Sequence, residues 1–129
     1  MAFEFFRAEN DAAPIEKEIV ATNGVTYNHG CLVAFDTSTG TATTTTGNPE
    51  FVYVGKDTVA KTGDKLAVQV VLPEYEWSTL LAASGQSLKV GQKVTTNGEK
   101  ATATTASGIF QLLTPGGASG SRVVGRFDL

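Results

Sequence analysis

Apolar and polar residues alternate along much of this chain with a period of two, the spacing of a strand that buries one face. Residues 64–72 carry the pattern most clearly. Leu66, Val68, Val70 and Leu72 fall on one face, and Ala67, Gln69 and Val71 on the other. Pro73 closes the run, because proline cannot donate to a central ladder. Phe51-Val52-Tyr53-Val54 is apolar on both faces, which predicts a strand sandwiched between layers. Residues 31–35 predict another apolar strand. Residues 15–20 predict a strand that pairs with Val25-Thr26-Tyr27 across the turn Thr22-Asn23-Gly24. The threonine-rich stretch 37–49 predicts a hairpin with a glycine-containing tip.

Residues 74–81 admit two periods. Tyr75, Trp77, Thr79 and Leu81 share a strand face, whereas Trp77, Leu80 and Leu81 share a helical stripe, and a short helix over 78–83 also fits. Tyr75 and Trp77 are core or subunit-interface anchors on either reading, since large aromatics dominate buried contacts.

Residues 88–127 read as hairpin, strand, loop, strand. Asn97-Gly98 suits the two central positions of a type I′ turn, between strand-like segments at 88–94 and 101–105. Residues 108–113 and 122–127 predict two more strands, separated by the breaker-rich loop 114–121. The expected fold class is all-β: a small Greek-key or barrel-like body with short strands and long loops. Residues 15–129 form that single domain, preceded by an N-terminal arm at 1–14.

The arm is unlike the rest. Phe3, Phe5 and Phe6 crowd into a short stretch beside Arg7, ahead of a polar segment that ends at Pro14. Burying each phenyl ring is worth about 1.5–3 kcal/mol, so the arm has to be tied down somewhere. Two readings stand: an edge strand on its own domain, or strand addition to another subunit, with main-chain bonds for affinity and phenyl pockets for specificity.

Composition narrows the function. At 129 residues the chain holds one modest core. A net charge of −3 and ten scattered Lys and Arg residues argue against a phosphate-reading surface and nucleic acid as partner. No apolar run approaches the length of a membrane helix, and the N-terminus lacks the plan of a signal peptide, which points to a cytoplasm as the site of synthesis. The one cysteine, Cys31, excludes an internal disulfide, and with a single histidine no zinc-type ligand set exists.

Candidate chemistry is sparse. Cys31 with His29 as base is the only nucleophile pair worth weighing, and a small buried strand thiol explains Cys31 better. Glu74 and Glu76 would share a strand face and keep it soluble. Gly117-Ala118-Ser119-Gly120-Ser121 is not a nucleophile elbow. The expectation is a protein that is not an enzyme and uses no cofactor or metal.

Several pieces together carry a resemblance: Asn28-His29-Gly30-Cys31-Leu32-Val33, Leu88-Lys89-Val90-Gly91-Gln92-Lys93-Val94, and Gly120-Ser121-Arg122-Val123-Val124-Gly125-Arg126. With its short acidic β body and its arm, the chain resembles the head decoration, or cement, proteins of tailed bacteriophages, of the lambda-like type. The resemblance implies a structural virion protein on the outer surface of the expanded capsid. Its partner would be the major capsid protein, its state a homotrimer, and its arm anchors Phe3, Phe5, Phe6 and Arg7. The other reading is a small β-barrel module for a soluble ligand or carbohydrate, with loops 37–50 and 114–121 lining its mouth.

Overall fold

Period-two alternation at residues 64–72 does yield a strand, and the whole chain follows suit. The computed structural model describes residues 2–129 and contains, among them, twelve strands and no helix. In chain order they begin with β1 (Glu4–Ala8), β2 (Glu16–Val20), β3 (Thr26–Tyr27), β4 (Leu32–Asp36), β5 (Thr41–Thr44) and β6 (Phe51–Tyr53). The second half adds β7 (Thr58–Val59), β8 (Lys65–Val70), β9 (Tyr75–Leu80), β10 (Lys93–Val94), β11 (Phe110–Leu112) and β12 (Arg122–Phe127). The fold class is all-β, as expected.

The first sheet runs β1-β9-β12-β11-β10, the second β2-β8-β6-β4-β5, and β3-β7 is a small third ladder. All these pairings are antiparallel. Within the first sheet the order β9-β12-β11-β10 is a Greek key, one long connection followed by two returns to adjacent positions. The second sheet curls until its two edges approach. A single bridge, Ala21 to Ala42, joins them, and the Ala42 carbonyl accepts from Thr22 Oγ1 and from Tyr27 Oη, both at 2.6 Å. The curl is barrel-like, but its ladder is not closed.

Two cores follow from this geometry. Leu32 and Val52 point out of the curl and meet Trp77, Phe110, Leu112, Val123 and Phe127 of the first sheet. Val33, Phe51, Tyr53, Leu66 and Val68 point into the curl and pack with Tyr27 and Cys31. β6 is buried on both faces, in keeping with its unbroken apolar text.

Four local expectations fail, each for a reason. β2 does not pair with residues 25–27. It pairs with β8, where Ile19 lies opposite Leu66 inside the curl, while β3 pairs with β7. The helix over 78–83 does not form, because β9 is a central strand whose neighbours β1 and β12 satisfy both of its edges. Asn97-Gly98 is not a type I′ pair, since Gly98 has φ +95° and Asn97 is not in the left-handed region. Asn97 Oδ1 instead accepts from the N–H groups of Glu99 and Lys100, an Asx arrangement that makes Gly98-Glu99 the tip. The strand expected over 101–105 shrinks to Ala101, which bridges to Leu81 and Thr96.

Candidate docking edge on the first sheet

The N-terminal stretch is built into the fold. Phe3 is only 1% exposed and lies between Phe110 and Phe127, with ring centroids 5.3 Å from each. Its N–H donates to the Gly30 carbonyl at 3.0 Å, and Gly30 N–H in turn donates to Tyr53 O at 2.7 Å. β1 then pairs with β9, Phe5 standing opposite Trp77 and Ala8 opposite Tyr75. Phe5 packs edge-on against both Tyr75 and Trp77, at 5.2 and 5.6 Å. Of the two readings of the arm, the edge strand is the one the fold adopts. Residues 9–14 leave that sheet and carry the chain across to β2.

Phe6 is the exception. The register slips between Phe5 and Arg7, so Phe6 is the extra residue of a β-bulge and takes no partner in β9. Phe6 is 52% exposed, and the Arg7 guanidinium sits 5.9 Å from its ring centroid, within cation–π range. Because β1 ends the sheet order, its outer side is an edge, the form of backbone that accepts another strand.

Beside that edge lies the outward face of the first sheet, where all three arginines of the chain gather. Arg7 Nε donates to Glu76 Oε1 at 3.0 Å, Arg126 Nη1 to Glu9 Oε1 at 2.9 Å, and Arg122 Nη1 to Ser78 Oγ at 2.9 Å. A shallow groove of about 270 Å³ runs between Phe6, Arg7, Glu76, Leu113, Val124 and Arg126. Arginine and aromatic residues are the types enriched where proteins meet. Reading 122–127 at period two places Arg122, Val124 and Arg126 on the face opposite Val123 and Phe127, so the sequence held that signal unread.

The predicted anchors therefore separate. Phe3 and Phe5 serve the chain's own core, while Phe6 and Arg7 face outward. Trp77 and Tyr75 are buried inside the chain, 0% and 3% exposed, and act as core anchors. Trp77 Nε1 has no hydrogen-bond partner. Glu76 is 7% exposed under Arg7, so it does not serve as a solvated surface carboxylate.

His29 and Cys31 do not form a pair. The His29 ring donates from Nδ1 to the Gly55 carbonyl at 3.0 Å, and its backbone N–H donates to Asp57 Oδ1 at 2.8 Å. Burial pushes the Cys31 thiol up to about 11, with the nearby Glu99 and Asp57 carboxylates adding to the effect, so at neutral pH it is a protonated thiol. Among the described residues no group of three or more His, Cys, Asp or Glu is placed to hold a metal ion. Nor is any helix long and apolar enough to cross a membrane.

Loop 114–121 and the 44–46 part of loop 37–50 line separate clefts. The former loop packs on residues 81–88, through Gly116 N–H to Leu88 O at 3.1 Å and Gly85 N–H to Gly117 O at 2.8 Å. Of the loop 37–50 region, Thr44, Thr45 and Thr46 do line a polar cleft, shared with Asn28, Cys31 and Glu99. A comparison with protein families finds no match to this chain, and a comparison with curated proteins finds none either.

Proposed function

We propose that the chain is a structural virion protein of the head decoration type, which binds the outer surface of an expanded bacteriophage capsid. It clamps neighbouring major capsid protein subunits and has no catalytic role. The observation that carries this reading is the bulged edge strand β1, which offers a free backbone edge and an outward Phe6 beside Arg7. A capsid segment adds to β1 as a further strand, with Phe6 in an apolar pocket and Arg7 and Arg126 facing carboxylates. The resemblance in sequence supports the same reading.

The clamp works by differential affinity. Its site exists only where expansion has brought the right capsid subunits together, so binding selects that state and stabilises it by mass action. In a homotrimer three β1 edges act together, and weak single contacts combine through effective concentration.

The test is co-sedimentation of the purified protein with expanded and unexpanded heads. Saturable binding to expanded heads alone, lost in Phe6→Ala, is the expected result. Equal binding to both forms removes the maturation-state part, and undiminished binding of Phe6→Ala removes β1 as the docking edge.

A further inference from the structure

The polar cleft between the curled second sheet and the turn at 97–100 plays no part in the docking edge. We infer that this cleft binds a neutral polyhydroxylated ligand, a mono- or disaccharide. Its volume of about 450 Å³ is that of a small-molecule site. Its walls are fixed by bonds made elsewhere. Leu32 N–H donates to Gly98 O at 2.8 Å, Thr96 Oγ1 donates to Thr46 O at 3.0 Å, and Asn97 Oδ1 caps the turn. Beyond those bonds the lining is polar throughout: Thr26, Thr44, Thr45 and Thr46 bring hydroxyls, Asn28 and Asn97 carboxamides, and Glu99 a carboxylate.

The class of ligand follows from this mixture. An apolar ligand would leave these donors and acceptors unpaired, at a cost that outweighs its burial. An anion would meet Glu99 with no lysine or arginine in the lining to offset it. A sugar hydroxyl both donates and accepts, so neighbouring hydroxyls can bridge carboxamide, carboxylate and threonine groups together. Cys31 at the cleft stays a neutral thiol and brings no competing charge. No aromatic ring lines the cleft as a stacking platform, so affinity rests on hydrogen bonds and sits near the millimolar range.

The test is an amide NMR titration with glucose, galactose, mannose, N-acetylglucosamine, maltose and lactose, with inorganic phosphate as the anionic control. At least one sugar should saturate with a Kd on the order of 1 mM, shifting amides around residues 26–31, 44–46 and 97–100. Asn28→Ala and Glu99→Gln should each weaken that binding about ten-fold, the loss of one good hydrogen bond, with resonances elsewhere unmoved. The inference is overturned if no sugar shifts these amides up to ~50 mM, a concentration far above the expected Kd. It is equally overturned if phosphate binds there, or if both variants bind as the parent does.

Discussion

Arg7 and Glu76 stand opposite each other, Nε to Oε1 at 3.0 Å, because β1 contains one residue too many at Phe6. In a regular ladder starting from Phe5 opposite Trp77, Phe6 would face Glu76 and Arg7 would face Tyr75, pointing a guanidinium into the core. The bulge absorbs the extra residue. It delivers Ala8 to the buried face, Arg7 to Glu76 and Phe6 to solvent.

Deletion of Phe6 is therefore expected to regularise β1 without shifting any other pair. Phe5, Arg7 and Ala8 would meet Trp77, Glu76 and Tyr75 consecutively, so stability in urea should change by less than about 1 kcal/mol. Insertion of an alanine after Phe5 is the contrast, because a second extra residue has no place in the ladder. A deletion that unfolds the protein would show that the bulge itself is needed for folding.

The Arg7–Glu76 pair is half in water, with the two side chains 63% and 10% exposed. Screening on the Arg7 side limits the coupling to about 0.5–1 kcal/mol in a double-mutant cycle of Arg7→Ala and Glu76→Gln. Raised salt should shrink it.

Phe3→Ala should act far more strongly. The ring fills a site between Phe110 and Phe127 at the start of an edge strand, and phenylalanine-to-alanine changes in cores cost about 3–5 kcal/mol. Trp77, the sole tryptophan, is a direct reporter, since Phe5 packs on it. Loosening of β1 should move its emission to the red before global unfolding. By the same argument, removing residues 2–13 would uncover Tyr75, Trp77, Phe110 and Phe127. Such a truncation is a poor probe of capsid binding, and Phe6→Ala is the sound one.

How much of this was legible in the sequence depends on how far apart the partners lie. The strands at 64–72, 51–54 and 122–127 announce themselves through their own alternation, and β8, β6 and β12 form there. Pairing is a different matter, because the partner of Ile19 is Leu66, far along the chain, and not the nearby Tyr27. The turn at Asn97 misled for a local reason: its side chain competes for backbone donors, which removes the need for a left-handed Asn. The arm was half legible. Three phenylalanines demanded burial, but only the bulge decides that two turn inward and one outward. The arginine face follows from period-two reading of β12 combined with the Arg7 register, and the polar cleft could not be foreseen, since Asn28, Thr44 and Glu99 meet only through tertiary contact.

Gly30 pins the arm to the body and is expected to tolerate no side chain. Its φ is +81°, and an added Cβ would lie 2.7 Å from the Phe3 carbonyl oxygen, a backbone atom that cannot swing aside. Gly30→Ala thus combines left-handed strain with a steric push on the strand start, for a loss of about 2 kcal/mol or more. Gly63→Ala is the control, with φ +86° and open space around it, so it reports the backbone strain alone. The difference between the two in chemical denaturation isolates the contact with Phe3, and equal losses would mean that β1 is not held there.

Alkaline pH supplies the last test, with the sign fixed by Cys31. Its thiol titrates at 9.0 in the unfolded chain and at about 11 in the folded one. Well below pH 9.0 both states keep the proton and stability is flat with respect to this group. Between 9.0 and about 11 the unfolded state binds fewer protons, so stability falls as pH rises. Tyr53, raised by burial and by the nearby Cys31, pushes in the same direction. Cys31→Ala should flatten the slope of unfolding free energy against pH across that window, leaving only the part of the Tyr53 contribution that burial and Asp57 cause. A thiol reagent at neutral pH should label the parent protein far more slowly than a free thiol, because Cys31 is 4% exposed and protonated, and rapid labelling of the native state would contradict that.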